Sequence, residues 1–428
     1  MIHHSYSTLY RGSVKDVLGP VQFGAVPAAI FRYTDSFSVF DWGRMPDQLK
    51  NKGQALTVLA AHWFETLEKP ESWKNFSRSP EALALRKASR FGSVFNELGE
   101  TLQQNGLRTH YLGVVTEEDA VEGKPVQPHP LSEMKTAPHH LLVKQVSVVK
   151  PVLATVLGRT LPDYYPTRNA PLPRLIPLEV VFRFSCPEGS SLIERARDSS
   201  YLASIGFPEA KVEPGQRWDF PVIELFTKLE SADRPVSLAE ALAMSGLSAA
   251  QLQEMFLRTA WVAGILRWLC AASGLELADG KLEWALSETG ECFLVDAIGP
   301  DELRILFRPL SRIAAAKATA ASGVKEPRKS DTTQLSKEFL RIHYRSTPWY
   351  HSVEKAKEKA SATGTADWKR WVPEVPPKLP GSYLELGSQL YQALANHLTG
   401  KTWFADAWTL ERVIASIQYL EDFGTPQT

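Results

Sequence analysis

The order of predicted elements points to an α+β chain. Strand-like segments come first, helices and strands then mix without strict alternation, and a long apolar helix runs straight into a hairpin. A doubly wound sheet would need strand and crossover helix in regular succession, which this order lacks.

Residues 8–45 read as strands. Gly12 breaks Tyr10-Arg11-Gly12-Ser13-Val14-Lys15, Gly19-Pro20 marks a turn, and Ala29-Ile30-Phe31-Arg32-Tyr33 has strand composition. From 55 to 68, Leu56, Leu59, Ala60, Trp63 and Phe64 share one helical face. Segments 141–146 and 177–184 read as further strands. Between them, residues 151–177 hold six prolines, which predicts an irregular excursion. Phe256, Ala260, Ile265 and Leu269 set a helix over 248–273, and a hairpin follows over 275–298. The alanine-rich basic stretch 314–329 suits a fraying helix or a mobile loop. A Pro-rich linker at 372–380 precedes helical segments at 382–399 and 404–422. The divisions are therefore an N-terminal lobe, 1–150, a Pro-rich insertion, 151–176, a second lobe, 177–345, and a helical extension, 346–428.

With 428 residues and 48 basic against 48 acidic side chains, the chain lacks the basic excess of a nucleic-acid module. Three widely spaced cysteines, Cys186, Cys270 and Cys292, form neither a disulfide framework nor a zinc motif and fit a reducing compartment. Neither a signal peptide nor an uninterrupted apolar run of about 18 residues is visible, so a soluble, cytoplasmic protein without a membrane partner is expected.

The hairpin carries the most chemistry. A two-residue turn at Thr289-Gly290 would pair Trp284 with Val295 and Leu286 with Phe293 as an apolar face. The same register sets Glu283 across from Asp296, with Lys281 on their face. Two facing carboxylates need a counter-ion. Mg²⁺ bridging phosphates is one answer; neutralisation by Lys281 on a solvated face is the other, and spacing alone does not choose between them. Gly12-Ser13-Val14-Lys15 could likewise let backbone amides approach phosphate or be only a hairpin, and it is not a P-loop.

Taken together, these segments resemble the SAICAR synthetase (phosphoribosylaminoimidazole-succinocarboxamide synthase) family. Leu9-Tyr10-Arg11-Gly12-Ser13-Val14-Lys15 resembles its nucleotide loop, Asp35-Ser36-Phe37-Ser38-Val39-Phe40-Asp41 its Asp-x-x-Ser-Ala-x-Asp segment, and Lys52-Gly53 the dipeptide opening the next helix. Leu142-Val143-Lys144 resembles the strand leading to the adenine pocket. Pro177-Leu178-Glu179-Val180-Val181-Phe182-Arg183 with Gly189-Ser190 resembles its Pro-x-Glu-x-x-x-Arg … Gly-Ser signature. Thr227-Lys228 with Asp233, the hairpin with Pro300-Asp301 and Arg304, and Ser336-Lys337 with Arg341 follow in the family's order. The resemblance covers about residues 9–345 and leaves 346–428 outside.

The resemblance implies an antiparallel N-terminal lobe and a larger α+β lobe with ATP bound between them. It implies an ATP- and Mg²⁺-dependent ligase of purine biosynthesis, joining an aminoimidazole ribonucleotide carboxylate to L-aspartate through an acyl phosphate. Lys15 and Lys281 would meet ATP phosphates, with Gly12, Ser13 and Lys144 in the nucleotide site, and Glu283 and Asp296 would hold Mg²⁺. Arg183, Ser190 and Arg304 would hold substrate phosphate or carboxylates, with Asp35, Ser38, Asp41, Lys228, Asp233, Lys337 and Arg341 as further substrate contacts. On the residues alone, Asp35 or Ser38 capping a turn and Arg183 in a structural ion pair are the simpler readings.

The chain departs from the family at Ser13 (lysine), at Ala297 (glutamate) and at Phe184 with the Cys186-Pro187 loop. These departures leave open a different carboxylate or amine substrate, or a nucleotide-binding protein without turnover. His139-His140 could ligand a metal, and Trp349-Tyr350 or Trp368 with Trp371 could stack on a base, but solvated and packing readings are simpler for these, as a solvated loop is for the run 325–329. The helices after 382 suit either a homo-oligomer interface or a cover for the sheet.

Overall fold

Two antiparallel sheets frame the computed structural model, which describes residues 6–120, 125–187, 190–206, 212–230, 233–309, 332–363 and 367–423. The first comprises β1 (Thr8–Arg11), β2 (Lys15–Phe23), β3 (Val26–Tyr33), β4 (Tyr111–Val115) and β5 (His140–Lys144), in the order β1-β2-β3-β5-β4. Gly19-Pro20 is not a turn. It lies inside β2 where the register with β3 shifts between Leu18 and Val21, and the reversal falls at Gly24, whose φ of 58° suits glycine.

A small ribbon of β6 (Val152–Val156) and β7 (Arg159–Asp163) follows, then a short helix, Tyr165–Arg168. The proline-rich stretch is thus more regular than expected. Pro162 sits in a two-stranded ribbon with free outer edges, and Pro166 lies in the first turn of that helix, where an N–H is dispensable.

The second sheet contains β8 (Arg174–Ser185), β9 (Arg217–Thr227), β10 (Glu276–Leu286), β11 (Cys292–Val295), β12 (Leu303–Phe307) and β13 (Thr333–Gln334). Its order is β13-β12-β10-β8-β9, with β11 also on β10. β8 tolerates Pro177 because its register with β10 is irregular there, between the Glu283–Glu179 and Ala285–Leu175 pairs.

The β10–β11 hairpin corrects the expected register by one residue. Trp284 pairs with Leu294, Ala285 with Phe293 and Glu283 with Val295. The loop has three residues, closed by Gly290 N–H to the Ser287 carbonyl at 3.0 Å, with Gly290 at φ 79°. An apolar face does not reject this slip, because both hairpin faces are buried: Trp284 and Leu294 enter the main core, while Ala285, Phe293 and Val295 join a second cluster with Leu175.

Helix Lys52–Glu68 packs on β3 and β4, and helix Ala249–Ala272 packs on β8, β9 and β10. The latter begins at a capping box formed by Ser248 and Gln251. It is long and apolar enough to cross a bilayer, yet most of it is buried inside the protein. One apolar cluster runs from Ala29 and Leu141 of the first sheet through Leu178 and Leu282 of the second to Leu390 near the C-terminus.

Residues 372–380 are anchored rather than loose: Leu379 N–H donates to Asp47 at 2.7 Å and the Tyr344 hydroxyl to the Pro377 carbonyl at 3.1 Å. Helix Gly381–Thr399 covers helix Lys52–Glu68. The last helix, Leu410–Phe423, starts later than expected. Gly400 is left-handed, and Asn396 Oδ1 accepts from Trp403 N–H at 2.8 Å and Phe404 N–H at 3.1 Å, tying the intervening chain into a loop. The stretch 314–329 lies outside the described residues.

Candidate active site

Backbone bonding between the sheets builds the site. Leu294 N–H donates to the Arg108 carbonyl at 3.1 Å, His110 N–H to Leu294 at 2.9 Å and Lys144 N–H to His110 at 2.7 Å. This stitch brings the end of β11 beside the start of β2. A cleft of about 750 Å³ opens there, lined by both sheets.

Lys15, at the head of β2, pairs with Asp296 just past β11 and lies 4.3 Å from the centre of the Phe31 ring. Asp296 adopts φ 72°, an uncommon backbone region for a residue other than glycine. Burial opposes its ionisation, but Lys15 and then Lys228 outweigh this and hold the carboxyl below the usual range.

Across the cleft floor, β8 and β10 set Glu179 and Glu283 directly opposite each other. Like charges at this spacing repel, and two lysines answer them. Lys228 Nζ donates to Glu179 at 2.9 Å and to Glu283 at 2.6 Å, while Lys281 Nζ donates to Glu179 at 2.8 Å. Burial opposes ionisation of Glu179, but Lys281 and Lys228 bring it down to about 2. Glu283 is instead pushed up, by burial and then by Asp296. Its carboxylate therefore favours an approaching cation.

Gly12, Ser13, Ser38, Asp41, Lys144 and Lys337 also line the cleft. Gly12 closes a tight loop, its N–H donating to the Lys15 carbonyl at 2.9 Å; a Cβ there would fall 2.6 Å from that oxygen. Lys144 donates to the Thr109 carbonyl at 3.3 Å. Asp233 is not a lining residue, yet burial and then Glu179 push it up to about 7.

The remaining candidates sit elsewhere. Asp35 caps helix Lys52–Glu68, accepting from Gly53 N–H at 2.9 Å and Asn51 N–H at 3.2 Å. Arg183 is clamped by Glu224 at 2.5 Å and Asp279 at 3.1 Å, and Arg304 reaches Asp279 at 3.4 Å. Arg341 pairs with Glu338 at 3.0 Å. Ser190 precedes helix Ser191–Arg195, its hydroxyl buried without a partner among the described residues. Two of the sequence departures, Ser13 and Ala297, line the cleft, whereas Phe184 is in the core.

Sequence reasoning passed over Glu179 as a site residue although its motif was visible; the signal was its place opposite Glu283. It also passed over Tyr33, His110 and Glu302, which line the cleft. His110 is buried against Phe31 and Phe64, and burial followed by Lys15 lowers it to about 3, so the imidazole is neutral.

Comparisons with known proteins bear on the family and the fold. The model of the SAICAR synthetase family matches residues 8–148 and 170–348, and its gap falls on the β6–β7 insertion. An inferred phosphoribosylaminoimidazole-succinocarboxamide synthase of Archaeoglobus fulgidus is 31% identical over 95% of this chain and 98% of its own length. That span is too long to leave the C-terminal helices outside the resemblance, where the motifs alone had put them. A synthase of the same name from Thermoplasma acidophilum is 24% identical over 92% of this chain and 98% of its own. Among solved structures, SAICAR synthase of Saccharomyces cerevisiae complexed with SAICAR has a TM-score of 0.51 at 20% identity, covering 93% of this chain and 96% of that one. The chain belongs to the SAICAR synthetase family.

Proposed function

We propose that the chain is the ATP-dependent carbon–nitrogen ligase of its family, forming an amide between 5-amino-1-(5-phosphoribosyl)imidazole-4-carboxylate and L-aspartate. One observation carries the reading: Lys15, Lys228 and Lys281 meet Glu283 and Asp296 in one cleft, with the buried Glu179 bonded to two of these lysines.

A carboxylate is a poor electrophile at neutral pH, so ATP first phosphorylates it, and the amine then displaces phosphate from the acyl phosphate. Such transfer depends on positioning and charge neutralisation rather than a protein nucleophile. Lys15 and Lys281 would meet the phosphates of ATP, while Gly12 and Ser13 present backbone beside them. Lys228 restrains Glu179 and Glu283 until substrate enters. Glu283 and Asp296 would hold Mg²⁺. Among the described residues no group of three or more His, Cys, Asp or Glu suits a metal, but two carboxylates suffice when phosphate oxygens complete the shell. Bound there, the ion would neutralise charge on the transferring phosphoryl group.

The test is incubation with ATP, Mg²⁺, L-aspartate and the carboxylated ribonucleotide, following ADP and product mass. ADP and the succinocarboxamide in equal amounts are expected. ATP binding with no amide product would overturn the substrate assignment.

A further inference from the structure

Five carboxylates line the cleft: Asp41, Glu283, Asp296, Asp301 and Glu302. Lysines answer four of them. Asp41 pairs with Lys357 at 3.0 Å, Glu283 with Lys228, Asp296 with Lys15, and Asp301 with Lys52 at 2.7 Å. Of these five, Glu302 alone makes no side-chain hydrogen bond or ion pair with the described residues. Two other cleft groups share this condition. The Tyr33 hydroxyl is buried without a partner, and the Lys337 ammonium has no carboxylate among the described residues within ion-pair distance.

These three groups feel one another: Glu302 acts on both Tyr33 and Lys337, and Asp301 acts on all three. Of the three only the Tyr33 hydroxyl is buried and needs a partner; beside it the half-buried Glu302 and Lys337 leave an acceptor and a cation open to the cleft, a set that suits a ligand bringing both an ammonium or amine and a carboxylate. An amino acid has that chemistry.

We propose that Glu302 is the proton acceptor for the amine of the amino-acid substrate, with Tyr33 and Lys337 lining the same subsite. The inference rests on the ligase reading above. Glu302 takes the proton that the substrate ammonium carries at neutral pH, and the freed amine bonds to the acyl-phosphate carbon and gives its remaining surplus proton to a phosphate oxygen. The carbon–oxygen bond to phosphate then breaks, phosphate leaves with that electron pair, and Glu302 returns its proton to phosphate or solvent. Burial and then Asp301 push the carboxyl up to about 7, against the opposing pull of Lys337 and Lys281, while Asp296 adds to the rise. An acceptor tuned near the working pH combines adequate ionisation with useful basicity.

The experiment is Glu302→Gln in the full-length chain, beside the wild type, with two amines: aspartate, and hydroxylamine, which is already unprotonated at neutral pH. The variant should lose about 100-fold in kcat with aspartate, the lower range for general-base catalysis. Hydroxamate formation should stay within about threefold of wild type, and the rise of the wild-type kcat profile near pH 7 should vanish. Equal losses with both amines would make Glu302 structural and overturn the proposal, as would an unchanged aspartate rate. If the wild type itself forms no aspartate adduct while still making hydroxamate, the ligase reading fails in its amine and not in its proton acceptor. A thermal melt of the variant should match or exceed wild type above pH 7. The raised carboxyl contributes stability below about pH 4.5 that is lost as pH rises through 7, and glutamine removes that loss.

Discussion

The β8–β10 ladder holds two charged rungs of opposite character. At one end Arg183 of β8 faces Asp279 of β10, and at the other Glu179 faces Glu283. The first rung pairs unlike charges and closes on itself: Glu224 is fully buried between Arg183 and Arg195, with the Tyr201 hydroxyl donating to it at 2.7 Å. The second pairs like charges and depends on lysines from neighbouring positions. Guanidinium forks lock carboxylates in fixed geometry, whereas an ammonium is a mobile point charge that a phosphate or metal can replace. Four residues along the same strands therefore separate a framework from a workplace.

Breaking the closed rung should have the largest effect. Glu224→Gln leaves Arg195 without a carboxylate and Arg183 with Asp279 alone, and loss of about 3–5 kcal/mol is expected from denaturant unfolding. Unchanged stability would remove the structural reading of Arg183. The open rung should respond in the opposite sense. Glu283→Gln relieves repulsion with Glu179 and Asp296, so its unfolding midpoint should equal or exceed that of wild type. On the proposal that Glu283 helps hold Mg²⁺, the variant's turnover should fall by about 10²–10³, as when one preorganised electrostatic group is removed. A variant that unfolds early and keeps its rate would reverse the two rungs.

How much of this was legible depended on whether the signal was local. Lys15, Lys281, Glu283 and Asp296 can be singled out in the sequence because each stands in a short motif or a hairpin, and the fold brings all four to the lining of one cleft. Their pairing was misread because Glu288-Thr289-Gly290 and Thr289-Gly290 are both plausible loops. An apolar pattern discriminates registers only where one face is wet, and here neither is. The cross-strand partner of Glu283 that matters is Glu179, more than a hundred positions earlier, and no periodicity reaches that far. Arg183 and Arg304 carried the right residue type for anion binding. Their contacts with Glu224 and Asp279 depend on neighbouring strands, β9 and β10, and so needed the fold.

The C-terminal helices provide an intermediate case. Lys52 is fully buried and donates to Asp301, whose second oxygen accepts from the Tyr391 hydroxyl at 2.7 Å. Helix Gly381–Thr399 thus holds a cleft carboxylate from behind. Tyr391→Phe keeps the ring 5.0 Å from the Lys52 ammonium and deletes one hydrogen bond to a charged group. A loss of about 1.5–3 kcal/mol is expected in denaturant melts. A neutral result would make the helix a cover with no hold on the site.

Lys357 and Asp41 set the lower end of the scale. They pair at 3.0 Å across the cleft rim, with Asp41 62% and Lys357 29% exposed. The charges are unlike, as in the Arg183 rung, but water screens them and both side chains retain freedom to separate. Lys357→Ala should therefore cost about 0.2–1 kcal/mol, a difference that fades at high salt. The same two charges buried would behave like Glu224 with its arginines, so charge pairing by itself does not separate framework from workplace. If Lys357→Ala instead costs several kcal/mol irrespective of salt, the rim is as rigid as the interior, and burial is not what sets this pair apart from Glu224 and its arginines.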